Sequence, residues 1–243
     1  MNKELLARRF SKAAATYDQS AIAQQEIASH LWSLTSRILS DKPENILEIG
    51  CGTGMLTRIY TQECHLSRVT LNDIYDSREF LPPVKSNFIQ GDAEEVDLGE
   101  GYDLILSTSA VQWFSDLESF ISKIERSLKP GGVFAFSTFG PDNYHELRKI
   151  TKSGLHYHTQ EELMGMLKGF EIVSFEQKAI THLFETPLDI LRHIKATGVA
   201  GGMGSSWSRG QLNQFISDYK ELDNGEGQHP LTYHPFWIVV RKK

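Results

Sequence analysis

Short apolar runs alternating with segments of helical composition predict an α/β fold, a doubly wound parallel sheet with helices on both faces. Three observations carry that expectation. Five runs, "ILEIG" from Ile46, "SRVTLND" from Ser67, "SNFIQGD" from Ser86, "YDLILSTS" from Tyr102 and "GGVFAFSTF" from Gly131, are each bounded by Gly, Pro, Asn or Asp. Between them lie "MLTRIYTQEC", "DLESFISKIERSL" and, spoiled by Pro82 and Pro83, "SREFLPPV". The first run also ends in a string of glycines, Gly50, Gly52 and Gly54, too many for a helix.

The remaining elements follow in order. The stretch through "AIAQQEIASHLWSLTSRIL" reads as helices with an apolar face of Ile22, Ile27, Leu31 and Leu34, and "DKPEN" breaks them. Tyr17 falls in "TYDQ", read as a polar break between those helices. Beyond Phe139, "PDNYHELRKITK" reads as a helix starting at Pro141, and "HTQEELMGMLKGF" as another, opened by Thr159 and Glu162 at capping-box spacing and stopped by Gly169. "FEIVSFEQKAITHLF" reads as strand, and "LTYHPFWIVVRKK" as a closing strand. Residues 187–222 read as a helical insertion, a lid, interrupted by the glycine and serine run "TGVAGGMGSSWSRG". One domain is expected: an N-terminal helical cap at 1–41, a ligand-binding core at 42–186, the insertion at 187–222 and a closing segment at 223–243.

Bulk properties exclude several classes. A formal net charge of -6 argues against a general nucleic-acid binder, which needs a basic excess. Two cysteines, Cys51 and Cys64, are too few for a disulfide scaffold and have no zinc spacing, which fits a reducing cytoplasm. The N-terminal stretch has Glu4, Arg8, Arg9 and Lys12 where a signal core would be apolar, and no run approaches the roughly 20 apolar residues of a membrane span. The expectation is a cytoplasmic protein with no removed leader.

A turn at the carboxyl end of the first strand admits a ligand against the backbone only where side chains are absent, so the glycines point to a nucleotide-like ligand or to a tight turn alone. The string is Glu48-x-Gly50-x-Gly52-x-Gly54, distinct from the dinucleotide fingerprint. Asp73 ends the second strand about 20 residues on, where it either closes a turn or accepts both ribose hydroxyl protons. Asp92, after the third strand, is a helix cap or receives an exocyclic adenine amine, with the Ala93 amide beside it. The fourth strand ends in "LSTSAVQWF", bringing Ser107, Ser109, Gln112 and Trp113 to the crevice, with core packing the alternative for Trp113.

At this order and spacing, Lys42 to Gly140 resembles the class I S-adenosylmethionine-dependent methyltransferases. The resemblance implies a Rossmann-like seven-stranded sheet with an antiparallel last strand, "FWIVVRKK", and S-adenosylmethionine as cofactor. Glu48 then helps hold its methionine end, the glycines pass beneath it, Asp73 binds ribose, and Asp92 and Ala93 frame adenine. Ser107 joins this set. The flanking segments "FSKAAATYDQSAIAQ", "FSTFGPDNYHELR", "LHYHT", "IKATGV" and "LTYHPFWIVVRK" resemble one branch, the malonyl-[acyl-carrier protein] O-methyltransferases of biotin synthesis. That branch implies methyl esterification of the free carboxylate of malonyl borne on a phosphopantetheine arm. Ala200 departs from it, standing where the branch has asparagine.

The chemistry agrees. A carboxylate ionised at neutral pH is its own nucleophile and needs no general base. Removed from water it needs a partner, and Arg148 is the expected clamp, with Tyr144 and Tyr17 as the other catalytic candidates and Gln112, Trp113 and His145 in the substrate pocket. Tyr17 is expected to close the site and exclude water. Arg8, Arg9 and Lys12, and Arg148, Lys149 and Lys152, form two basic clusters that either face solvent or dock an acidic acyl carrier protein. His156, His158, His229 and His234 lack an acidic or thiolate partner in sequence, so no metal site is expected. Rival readings are a methyltransferase of a small acid such as trans-aconitate, an NAD-dependent oxidoreductase, and a non-catalytic S-adenosylmethionine-binding module.

Overall fold

The computed structural model describes residues 2–39, 42–64, 68–199, 207–223 and 225–243. Ala200 lies outside them. Two helices open the chain, α1 (Lys3–Ser20) and α2 (Ile22–Ile38). Asn2 caps α1 by accepting from the Leu5 amide at 2.9 Å. The helix continues through "TYDQ", so Tyr17 sits in its last turn and the break falls at Ala21, where ψ is 47°. Ile27, Leu31 and Leu34 are buried as the spacing predicts, whereas Ile22, 60% exposed, lies off that face.

The sheet then builds as β1 (Asn45–Ile49), α3 (Met55–Glu63), β2 (Arg68–Asp73), β3 (Asn87–Gln90), β4 (Tyr102–Ser107), α4 (Leu117–Ser127) and β5 (Leu128–Phe139). "SREFLPPV" yields only a single 3-10 turn, Arg78–Phe80, because prolines at 82 and 83 cannot supply the amides a longer helix needs. After β5 come α5 (His145–Thr151), α6 (Gln160–Met166), β6 (Phe170–Gln177), β7 (Ile180–Phe184), α7 (Pro187–Ala196), α8 (Arg209–Lys220), β8 (His229–Tyr233) and β9 (Pro235–Lys242). The order of the seven-stranded sheet is β3-β2-β1-β4-β5-β9-β6. β1 pairs in parallel with both β2 and β4, and β9 runs antiparallel to β5 and β6. The strand order therefore reverses at β1, and a ligand crevice opens beyond the carboxyl ends of β1 and β4.

Alternate residues of each central strand feed opposite faces. Ile46, Leu104, Val133 and Val239 pack with α2 and α3 residues such as Ile27, Leu31 and Leu56. Leu47, Ile105, Phe134 and Ile238 pack with Phe120, Ile121 and Ile124 of α4 and Leu163 of α6. Both faces are dry, which holds the strand ends, and the loops on them, at fixed spacing.

Two expected strands are each divided. β6 and β9 pair as far as Gln177 and Phe236, and beyond that point β7 and β8 pair with each other in a separate two-stranded sheet. The same ribbon thus folds over at Lys178–Ala179 on one side and His234 on the other, where Pro235 has no amide to continue a ladder. α5 also starts later than expected. The Pro141–Tyr144 stretch forms turns, Tyr144 adopts φ 54°, and its amide donates to Thr232 O at 2.7 Å.

Candidate active site

The loop after β1 explains its glycines. Gly50 has φ +65°, and a Cβ there would lie 2.5 Å from the Ala110 Cβ, so only glycine lets the β1 and β4 loops approach. Gly52 has φ +52° with nothing within 4 Å of the Cβ position, leaving its face open to the cleft. The Gly52 amide donates to Asp73 Oδ2 at 2.7 Å, and the Tyr75 amide approaches Oδ1 at 3.3 Å. Burial pushes the Asp73 carboxyl up to about 6, although these amides pull the other way.

Gly50, Gly52, Asp73, Asp92 and Ala93 line a cleft of about 920 Å³, its open mouth included. Glu48, Gly54 and Ser107 stand behind that wall. Glu48 is fully buried, accepts from Thr57 Oγ1 at 2.6 Å and is pushed to about 7 by burial. A Cβ on Gly54 would lie 2.6 Å from Pro82 Cδ, so this glycine packs against the 81–82 turn. Ser107 donates to Ile49 O at 3.1 Å and ties β4 to β1. These three shape the loop from beneath.

α1 forms the opposite wall through Lys3, Leu6, Phe10 and Tyr17. Lys3 pairs with Asp92 at 2.5 Å and also with Glu94. At the other end of the helix Asp18 accepts from Thr53 Oγ1 at 2.5 Å and pairs with Arg58. No local pattern signals these latches, since each joins residues far apart along the chain.

A second cavity of about 720 Å³ adjoins the first, and both are lined by Phe10, Tyr17, Gln24, Ser109 and Trp113. Its walls add Gln112, Asn143, Tyr144, Arg148 and Tyr157. Burial holds the phenols of Tyr17 and Tyr144 well above their ordinary range, so both remain protonated donors. At the junction Gln24 Oε1, Trp113 Nε1 and Ser109 Oγ, and in the second cavity Gln112 Oε1, are buried with no hydrogen-bond partner among the described residues. Unpaired buried polar atoms are costly, and three at one junction with a fourth in the second cavity suit the place to a polar ligand. Sequence reasoning missed Gln24, buried in the first turn of α2, and Asn143, which donates to Tyr157 Oη at 2.8 Å.

His145 differs from expectation. It is exposed, its ring 3.2 Å from Asp142 O and 3.5 Å from Glu146, and it faces an outer groove because α5 begins only at that residue. His156 and His158 also differ: the capping box of α6 brings Glu162 beside them, with ligand atoms within 4.8 Å of one another. This trio lies on the outer surface, with Tyr157 pointing inward between the histidines.

A glycine-floored cleft at the switch point, an acidic residue ending β2 and an antiparallel last strand define a methyltransferase-type protein. A family model described as a methyltransferase domain matches residues 47–136. The solved N-methyltransferase NodS of Bradyrhizobium japonicum, in complex with S-adenosyl-L-homocysteine, shares the fold with a TM-score of 0.54 at 15% identity, over 93% of this chain and 98% of that one. The malonyl-[acyl-carrier protein] O-methyltransferase of Acinetobacter baylyi is 36% identical over 249 residues, covering 100% of this chain and 98% of that protein. The protein of that name in Bacteroides fragilis is 38% identical over 250 residues, and the chain spans about half of it, 51%. The chain belongs to the malonyl-[acyl-carrier protein] O-methyltransferase family.

Proposed function

We propose that the chain transfers a methyl group from S-adenosylmethionine to the free carboxylate of malonyl-acyl carrier protein, giving the methyl ester early in biotin synthesis, in the cytoplasm. The observation that carries this reading is the pair of cavities meeting at Tyr17, Gln24, Ser109 and Trp113. A donor in one and an acceptor in the other would face each other across a junction with buried, unpaired polar atoms. When bound, S-adenosylmethionine supplies an activated methyl on a sulfonium centre.

The residues present suit that cofactor. Gly50 and Gly52 leave backbone exposed to it, Asp73 offers its carboxylate to the ribose hydroxyls, and Asp92 and Ala93 offer an acceptor and an amide to adenine. Glu48, Gly54 and Ser107 hold that floor in shape from behind. In the second cavity Arg148 supplies the fixed positive charge a desolvated carboxylate needs, and Tyr144 and Tyr17 supply phenol donors. Gln112 and Trp113 frame the acceptor end. Neutralisation of carboxylate and sulfonium favours a dry site, and α1, latched at Lys3 and Asp18, encloses it. No proton has to be removed from the nucleophile, consistent with phenols too weakly acidic to act as bases.

The basic clusters at Arg8, Arg9 and Lys12 and at Arg148, Lys149 and Lys152 would receive the acidic carrier, so its apparent affinity falls as salt rises. The test is transfer of labelled methyl to malonyl-acyl carrier protein beside malonyl-CoA, free malonate and trans-aconitate. Fastest formation of a base-labile ester on the malonyl carrier is expected. Label on a free acid alone overturns the acceptor, and tight cofactor binding without any transfer overturns catalysis.

A further inference from the structure

The second cavity continues outward. Arg148, Ser153, Gly154 and Leu155 line both it and a groove on the outer surface. Three spaces therefore adjoin in series, each sharing wall residues with the next: the glycine-floored cleft, the second cavity and the outer groove.

That groove is cationic. His145, Arg148 and Lys149, three and four residues apart, line it from one face of α5, and Lys152, the residue that caps the helix with φ 52°, lines it beyond the last turn. Lys149 and Lys152 are exposed. Among the described residues, Arg148, Lys149 and Lys152 make no ion pair. A stripe of unpaired cations in a chain of net charge -6 is a local feature whose sign the whole protein does not dictate.

The passage inward runs beside a close contact. A Cβ at Gly154 would lie 2.8 Å from Arg148 Cγ and 2.9 Å from Cδ, so the arginine stem lies across a glycine. Arg148 thereby faces both spaces from their shared rim, with the lysines only on the outer side.

We infer that the α5 groove is a phosphate subsite, seating the phosphate ester of a flexible arm that passes Arg148 and Gly154 and ends with its carboxylate in the second cavity. This rests on the acceptor reading above. It selects the α5 cluster over Arg8, Arg9 and Lys12 of α1 for the arm's phosphate, because the α5 groove shares Arg148, Ser153, Gly154 and Leu155 with the acceptor cavity. Phosphate suits the site because Arg148, Lys149 and Lys152 line one groove that has no carboxylate among its lining residues. Carrier protein, coenzyme A and the free phosphorylated arm share that chemistry.

The test compares malonyl-pantetheine, malonyl-phosphopantetheine, malonyl-CoA and malonyl-acyl carrier protein as acceptors at low salt. Wild type should show KM for malonyl-phosphopantetheine at least about tenfold below that for the phosphate-free compound, the effect of one or two charge-assisted contacts. In the double variant Lys149→Ala, Lys152→Ala that ratio should fall below about threefold, and Lys149→Arg, Lys152→Arg should restore it. Both lysines are exposed, so folding is not at stake. Equal KM values in wild type, or a ratio the alanine variant keeps, overturn the subsite while the methylation reading stands. Failure of wild type to methylate any of the four acceptors overturns that reading itself. If CoA and the free arm lose affinity in the alanine variant and the carrier protein does not, the protein-borne phosphate lies elsewhere and the inference fails for it.

Discussion

Asp73→Asn should make the ligand-free protein more stable and its cofactor binding weaker. The wild-type carboxyl is pushed from 3.8 to about 6 by burial. Between those values the unfolded chain has released its proton and the folded one has kept it, so unfolding stability falls as pH rises, and above about 6 the full cost applies. At about 1.4 kcal/mol per pH unit of separation that cost is roughly 3 kcal/mol. Asparagine avoids it but surrenders one of the two amide contacts, at about 1 kcal/mol, leaving a net gain of roughly 2 kcal/mol. For a chain of this size the gain corresponds to a Tm rise on the order of 5 °C at pH 7.5, turning into a small loss below about pH 4, where only the surrendered contact remains. On the proposed placement of the cofactor the same change removes a charged acceptor for two ribose hydroxyls and should weaken S-adenosylmethionine binding by roughly 10- to 100-fold. In wild type, affinity should rise as pH climbs through about 6, the reverse of the stability trend. Thermal melts of variant and wild type from pH 4 to 8, with calorimetric titration, read both effects. Glu48 is also pushed up, to about 7, chiefly by burial and in part by the Asp73 charge, so Asp73→Asn relieves it as well and its contribution to the melts has the same sign. A variant that melts lower at pH 7.5, or that binds cofactor as tightly as wild type, refutes the reasoning.

Three further outcomes follow from the site. Tyr17→Phe and Arg148→Ala should leave S-adenosylmethionine affinity nearly intact while depressing turnover, and calorimetry showing lost cofactor affinity in both would remove their assigned roles. Gly50→Ala must hold φ +65° and meet the Ala110 Cβ at 2.5 Å, so it should cost at least about 1–2 kcal/mol of stability, read by urea unfolding, and abolish cofactor binding. Lys3→Ala cuts the link between α1 and the carboxylates of Asp92 and Glu94, and stopped-flow release of S-adenosylhomocysteine should speed up by roughly fivefold, matching about 1 kcal/mol for a partly exposed pair.

The parallel strands were legible because each is short, apolar and closed by turn residues, and the capping box at Thr159 because its two partners are three residues apart. The glycine loop was legible in kind, since three glycines after a strand need a steric reason. What stayed hidden depends on contacts between distant residues. The fold-over that makes β7 and β8 a sheet of their own is set by pairing across roughly fifty residues, and local periodicity carries no trace of it. Tyr17 was read into a break because "TYDQ" is polar, whereas α1 runs on through it, with Asp18 held by Thr53 and Arg58. His145 was placed with Tyr144 as a sequence neighbour, but the positive φ of Tyr144 turns the two side chains apart. The approach of Glu162 to His156 and His158 likewise depends on a turn whose shape the spacing did not convey.

The central claim is that a carboxylate oxygen takes the methyl group without a general base. Incubating the enzyme with malonyl-acyl carrier protein and isotope-labelled S-adenosylmethionine, then locating the label by NMR on the product, tests it most directly. A methoxy signal on the malonyl group that disappears on mild base treatment is expected. A base-stable methyl on the malonyl carbon, which would need a proton removed first, contradicts it.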